Sequence, residues 1–517
     1  MTGRTGRGTG GGTSNRASGR VGPERPPGIG LALGRVGLSL AVAFGALAAG
    51  AGYWQVFRSA DLSRAPDDAA VIAATRHILR GVITDRDGNR LAWNVRDKNG
   101  EPYRVYASPA LAGVIGYASR QWGNTGLERA WDPQLSGTAS ADPLSDLTRK
   151  FRSDPSDPQA LKTTLVLQLQ EAAVRLLGKN RGAVVMIDPR NGDVLALAST
   201  PTFDPSAVAN PGTSNAAFAK LQADPALPLL PRATQGRYVP GSIFKIVTAT
   251  AALASGAVST TTSFPQQPAA EKAGLLVDGF RVRDGHHAFT GSRALQFPEA
   301  VEVSCNIWFA LAGLKTGGAE LAAWAAKYGF GGPIPFDLPT AASQVTGGGG
   351  SIGGGFTDRV ELANAAYGQA ETLVTPLQMA LVAAGVANRG LLMKPHLVLS
   401  ATGKQGTTTI EPSAFQQVMP SDVAAAISAA MQQAVNGQEG RIFTAGARLT
   451  SMTVAGKSGT AELDPSTRPH SWFIGFAPAD NPQVAIAVLV ENSGGATVKA
   501  SPIAGDLFRA WRAWAKP

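Results

Sequence analysis

The sequence predicts an α+β fold, and three observations carry that reading. Residues 182–188 alternate into a strand, Pro189-Arg-Asn-Gly192 turns, and 193–198 return, a strong hairpin pattern. Residues 242–254, 297–330 and 361–390 read as helices. Near the end, 449–456, 471–477 and 484–490 read as strands with connections short enough for an antiparallel meander.

The elements follow in chain order. Residues 1–35 carry six arginines against the single Glu24, half of the net charge of +10, in a context of Gly, Ser, Thr and Pro. That composition predicts a disordered basic tail. From Val36 to Trp54 there is no charged residue. As a helix this run spans roughly 29 Å at ~1.5 Å per residue, close to the hydrocarbon thickness of a bilayer. Arginines precede it, so the positive-inside rule keeps the tail cytoplasmic and places the rest of the chain outside. Tyr53, Trp54 and Phe57 fit the far interface. The rival is a cleaved signal peptide ending near Ala49-Gly-Ala51. Nucleic acid is not the expected partner of the basic arm, because a spanning segment follows it directly.

Residues 58–70 are a polar stalk. Residues 80–92 read as strand, Asp87-Gly88-Asn89 turn and strand, with further short strands at 103–106 and 113–117. A loop dense in Asp, Ser and Pro at 142–158 closes this first module, which is expected to be a spacer. A helix at 165–177 opens the second module. The glycine tract 346–355 lacks the Gly-Lys-Ser/Thr ending of a phosphate cradle and is expected to be a connection. Residues 502–514 place Ile503, Leu507, Phe508, Trp511 and Trp514 on one helix face. The expected division is 1–35 tail, 36–57 anchor, 58–160 membrane-proximal module and 161–517 main domain. The lone Cys305 excludes an internal disulfide, and the five histidines show no metal-ligand spacing, so neither metal nor cofactor is expected.

Candidate chemistry begins at Val239-Pro-Gly-Ser242-Ile-Phe-Lys245. Pro240-Gly241 turns into a buried, Ala-rich helix, so Ser242 sits in its first turn with Lys245 on the same face. A hydroxyl becomes nucleophilic when a neighbouring base takes its proton, and a desolvated lysine amine is such a base. Alone, this pattern also fits a capped core helix with a surface lysine. Two further motifs change the balance: Ser304-Cys305-Asn306 in a helical stretch, and Lys457-Ser458-Gly459-Thr460 at the end of a predicted strand. Singly, these also fit helix caps and a strand-end turn.

In this order the trio resembles the signature of penicillin-binding proteins and class A β-lactamases. Over residues 36–515 the chain resembles the class B penicillin-binding proteins, membrane-anchored peptidoglycan D,D-transpeptidases. Arg80-Gly-Val-Ile-Thr-Asp-Arg-Asp-Gly88, Gly126-Leu-Glu128, Thr375-Pro-Leu-Gln378 and Trp472-Phe-Ile-Gly-Phe-Ala-Pro478 add to the likeness. The resemblance implies a β-rich membrane-proximal module and a transpeptidase domain with a helix-covered antiparallel sheet and a helical subdomain. It implies Ser242 as nucleophile, Lys245 as its base, Ser304 as proton relay and Asn306 as holder of the substrate amide. Lys457 would supply positive potential and depress Lys245 by like-charge proximity. Ser458, Gly459 and Thr460 would bind the substrate, the hydroxyls taking its carboxylate. Ser242 and Thr460 N–H groups would form the oxyanion hole. Implied partners are peptidoglycan stem peptides, β-lactams that acylate Ser242, and a membrane-embedded glycan polymerase. The rivals are a β-lactamase, for which no deacylating base is identified, and a non-catalytic β-lactam-binding scaffold or sensor. The departures are Ser458 where Thr is commoner, Gly368-Gln369-Ala370 where Gly-Gln-Gly is usual, and a stalk at 65–70 without the common Asn and Arg.

Overall fold

The computed structural model describes residues 79–138, 157–285, 287–463, 466–497 and 499–515. The tail, the 36–57 anchor, the stalk and most of the 142–158 loop lie outside the described residues. No helix among the described residues is long and apolar enough to cross a membrane.

A five-stranded antiparallel sheet forms the centre, in the order Ala455–Ala461, His470–Ala477, Val484–Val490, Gly182–Ile187, Val194–Thr200. The predicted hairpin and the predicted meander are therefore one sheet, joined edge to edge between 182–187 and 484–490. Alternate residues of each strand serve two separate cores. Val184, Met186, Phe473, Ile486 and Val488 pack under the helices Leu167–Leu177 and Ala500–Ala515. Ala183, Val185, Trp472, Ile474 and Leu489 face the opposite way, toward Pro376–Ala387, a helix buried along its whole length. Covered on both faces, these strands read as continuous apolar runs.

The long helical stretches are broken. Residues 297–330 fold as Phe297–Glu302, Asn306–Thr316 and Gly318–Lys327, and 361–390 as Arg359–Ala365 and Pro376–Ala387. The breaks have local causes. Ser304 takes a left-handed φ of 59°, Gly317 caps one helix at φ 84°, and Gly368 and Ala370 turn the chain at φ 90° and 58°. Residues 113–117 are no strand: Val114 and Ile115 amides donate back to Leu111 O, and Gly116 turns at φ 76°. A 3-10 turn from Pro109 uses up the donors that a strand would have offered.

The first module carries a six-stranded mixed sheet, in the order Gly406–Thr409, Val398–Gly403, Ala160–Thr163, Ile83–Thr84, Arg90–Arg96, Pro102–Tyr106. Three of these strands come from beyond residue 159, so the sheet runs across the expected division at 160. Next to the sheet is an ion cluster. Glu128, fully buried, accepts from Arg80 Nε (2.8 Å), Arg104 Nε (2.6 Å) and Tyr106 Oη (3.3 Å). The Arg80 and Glu128 stretches singled out in the sequence thus meet. Burial alone would raise the Glu128 pKa, but Arg104 and Arg80 outweigh it and hold the carboxyl below its usual value.

Candidate active site

Ser242 lies in a 3-10 turn, Gly241–Phe244, that runs directly into the helix Lys245–Ala254. Three contacts pin the turn. The Gly241 amide donates to Gly368 O (2.9 Å), Trp472 Nε1 donates to Val239 O (3.0 Å), and Tyr238 pairs with Val374 through reciprocal backbone bonds. The strand 455–461 presses on it from the other side. A Cβ on Gly241 would come 2.5 Å from Thr460 O, and one on Gly459 would come 2.9 Å from Pro240 O. Glycine at these two positions is what lets strand and turn touch. The hydroxyl of Ser242 is half-buried and forms no hydrogen bond among the described residues.

Lys245 is fully buried on the next turn. Its Nζ donates to Ser304 O (2.5 Å), Asn306 Oδ1 (2.7 Å) and Ser304 Oγ (3.2 Å). Lys457 Nζ reaches the same Ser304 Oγ at 2.8 Å and also donates to Ser458 O (3.0 Å). Lys245, Ser304, Asn306 and Lys457, spread over more than 200 positions of chain, are hydrogen-bonded together with Ser304 Oγ between the two amines, and the turn that carries Ser242 runs directly into Lys245. Ser458 is buried and Thr460 exposed on the same strand, at the edge of the sheet. The Lys457–Thr460 motif lies inside this strand, which runs from 455 to 461, rather than at the end of one covering 449–456.

The local chain explains the Ser304–Asn306 geometry. Neither residue caps the helix that follows; the cap is Cys305, whose Sγ accepts from the Trp308 amide (3.3 Å). The left-handed backbone at Ser304 turns its hydroxyl toward the lysines, a strained conformation of the kind found at functional sites. Cys305 is wholly buried and burial pushes its thiol pKa up, which leaves no nucleophile there.

Electrostatics depart from expectation in one respect. Burial is the main cause depressing Lys245, to about 8, and Asp284 works against it. Lys457 is pushed well below its ordinary value, first by burial and then by the charge of Lys245. The two amines share Ser304 Oγ, so the repulsion between their charges belongs to the pair, while burial is the larger cause for each. Asp284 was not legible as a site residue. Its Oδ1 accepts from the Asn306 amide (3.0 Å), yet nothing in the spacing of 284 to 304–306 signals it. Glu491 was also missed. It accepts from Arg232 Nε and Tyr238 Oη, each at 2.8 Å, and so ties the segment leading to Ser242 to the end of the sheet.

A half-buried serine beside a low-pKa lysine, with a hydroxyl bridging to a second lysine, defines a serine acyl-transfer site of the Ser-x-x-Lys kind. Residues 182–510 match the family model of the penicillin binding protein transpeptidase domain, and 80–157 that of the penicillin binding protein A dimerisation domain. The peptidoglycan D,D-transpeptidase PbpA of Mycolicibacterium smegmatis is 36% identical over 480 residues, covering 89% of this chain and 94% of that one. The ceftriaxone acyl-enzyme of penicillin-binding protein A from M. tuberculosis superposes with a TM-score of 0.74 at 31% identity, over 85% of this chain and 99% of that one. PBP2 of Pseudomonas aeruginosa gives 0.71 at 28%, over 86% and 99%. The chain belongs to the penicillin-binding proteins, in the class B group that carries this transpeptidase domain.

Proposed function

We propose that this chain is a serine D,D-transpeptidase that cross-links peptidoglycan stem peptides and is acylated by β-lactams. The observation that carries the reading is the single hydroxyl, Ser304 Oγ, held by Lys245 at 3.2 Å and Lys457 at 2.8 Å beside the Ser242 turn. The names of the relatives above, peptidoglycan D,D-transpeptidases and a β-lactam acyl-enzyme, support it.

Neutral Lys245 takes the Ser242 proton as Oγ attacks the carbonyl between two terminal D-alanines. At the sheet edge, strand 455–461 directs half of its backbone N–H groups away from its neighbour, and Thr460 N–H with Ser242 N–H would receive the oxyanion. Each such donor is typically worth ~3–4 kcal/mol in the transition state. Ser304 Oγ, bonded to both amines, passes a proton to the departing D-alanine nitrogen. The acyl-enzyme ester is then opened by the amine of a second stem peptide, which forms the cross-link and returns the proton. Asn306 orients the substrate amide, and Ser458 and Thr460 take the terminal carboxylate.

The same reading makes 36–57 a membrane anchor, with residues 1–35 cytoplasmic and the transpeptidase domain outside, and gives it a membrane-embedded glycan polymerase as partner. Its support is the uncharged run 36–54 behind an arginine-rich tail. Exchanging the anchor for an unrelated spanning helix should reduce co-purification of the polymerase; unchanged recovery refutes the pairing.

The central test uses full-length chain with fluorescent penicillin, with and without Ser242→Ala. One adduct on the Ser242 peptide is expected, absent in the variant, together with D-alanine release from a pentapeptide donor when an acceptor amine is present. Undiminished labelling of the variant overturns the assignment. Loss of the adduct within seconds identifies a β-lactamase instead.

A further inference from the structure

Glu491 is not among the residues assigned to acyl transfer, yet its carboxylate joins three parts of the fold. Oε1 accepts from Arg232 Nε and Tyr238 Oη, each at 2.8 Å, and Oε2 lies 3.1 Å from Arg181 Nε. Arg232 is 2% exposed, and its other two nitrogens donate to Leu227 O (2.8 Å) and Ala226 O (2.6 Å). The Glu491 amide donates to Arg181 O (2.8 Å), so backbone and side chain are both fixed where the strand Val484–Val490 ends. A buried ion pair adds little net stability over an apolar pair of the same shape. What short, charge-assisted bonds supply is a fixed distance.

Contacts leave this carboxylate in two directions and end on the two sides of the acylation site. One line runs through Tyr238. Its ring stands edge-on to His470 (5.5 Å between centroids) and Trp472 (6.2 Å), and its backbone pairs with Val374. The next carbonyl, Val239 O, accepts from Trp472 Nε1 (3.0 Å), and the serine turn begins directly after it. The other line runs through residues 492–496. Asn492 takes a left-handed φ of 47°, and its amide donates to His470 Nδ1 (3.1 Å). Gly495 O accepts from Ser471 Oγ (3.4 Å), and the Ala496 amide donates to Thr460 Oγ1 (3.4 Å). Ser471 and His470 are the cross-strand partners of Thr460 and Ala461, so this line closes on the strand that faces Ser242.

We propose that Glu491, with Arg232, is a positioning residue that sets the separation between the Ser242 turn and the Thr460 strand, and with it the width of the oxyanion hole. The role rests on the transpeptidase reading above, in which the N–H groups of Ser242 and Thr460 receive the developing charge. The gap has little slack, since a Cβ on Gly241 would come 2.5 Å from Thr460 O. Donors must stand ~2.7–3.1 Å from the place the oxyanion will occupy, so a small widening takes one of them out of reach. Such a loss slows the chemical step and leaves the non-covalent encounter as it was.

The test compares full-length wild type with Glu491→Ala and Tyr238→Phe. The second variant keeps the ring and both ion pairs and removes one hydroxyl, so it decides the matter even when Glu491→Ala does not fold. Saturation kinetics with fluorescent penicillin separate the dissociation constant of the encounter complex from the acylation rate constant. The rate constant should fall about tenfold or more in each variant, with the dissociation constant within about twofold of wild type and the Tm of Tyr238→Phe nearly unchanged. A phenylboronic acid, whose tetrahedral adduct on Ser242 fills the oxyanion hole, should lose affinity in parallel. Acylation rate constants within about twofold of wild type overturn the proposal. So does a loss carried wholly by the dissociation constant, or a slowed acylation with undiminished boronic acid affinity. A wild type that takes no label on Ser242 fails the transpeptidase reading and this role with it, whereas equal rates in labelled proteins fail the role alone.

Discussion

The base assigned to Lys245 makes a quantitative prediction about pH. Complete burial penalises the ammonium form and brings the amine from 10.5 to about 8. Only the neutral amine can accept the Ser242 proton. The reactive fraction is then about 9% at pH 7, half at pH 8 and about 90% at pH 9. Acylation by a penicillin should therefore rise about tenfold from pH 7 to pH 9, then level off. Lys245 and Lys457 share Ser304 Oγ, so the observed midpoint belongs to the pair. The assay is the second-order labelling rate with fluorescent penicillin between pH 6 and 10, with circular dichroism confirming the fold at each point. A lysine with a depressed folded pKa binds fewer protons folded than unfolded. Stability should accordingly rise with pH between about 8 and 10.5, by up to ~1.4 kcal/mol per unit from this group. A rate flat across the range, or a midpoint above pH 10, refutes Lys245 as the base.

Three further outcomes are expected. Ser304→Ala removes the hydroxyl that both amines contact, and labelling should fall ~10²–10⁴-fold with far-UV circular dichroism unchanged; a loss below fivefold removes Ser304 from the proton path. Gly459→Ala puts a methyl 2.9 Å from Pro240 O and 3.0 Å from Ile243 Cγ2, pushing the strand off the serine turn. A displacement of that kind should cost labelling ~10²-fold at nearly unchanged Tm, and full activity would show that the close approach is dispensable. Glu128→Ala strands the buried Arg104 without its carboxylate, while Arg80 keeps Asp132, and urea unfolding should show a loss of ~3–5 kcal/mol. A change under 1 kcal/mol would mean that water reaches Arg104.

Much of the fold is legible from periodicity. The 182–200 hairpin, the 484–490 strand and the helix 500–515 fall within a few residues of their predicted places, since each is a long apolar pattern closed by turn residues. Breaks inside apolar stretches are not legible. Ser304 adopts left-handed backbone without a glycine to announce it, and Gly317 and Gly368 stand singly inside apolar patterns, so 297–330 and 361–390 read as longer helices than they are. Strand 455–461 was misplaced because it contains Gly456, Lys457, Ser458 and Gly459, residues that local propensity assigns to a turn. It is a strand because His470–Ala477 pairs with it along its full length.

Residue chemistry singled out the Ser242–Lys245 pair, and the resemblance of three motifs in order to the penicillin-binding protein signature added Ser304, Asn306 and Lys457–Thr460. Partnership and charge state belong to tertiary structure. Only packing decided that Lys245 faces Asp284 while Lys457 does not, that Cys305 rather than its neighbours caps a helix, and that a carboxylate pair, an imidazole and a thiol face one another behind the site. The physical reason is range. Covalent spacing constrains side chains three or four residues apart, whereas burial and Coulomb interactions are set by whatever the fold brings within a few ångströms.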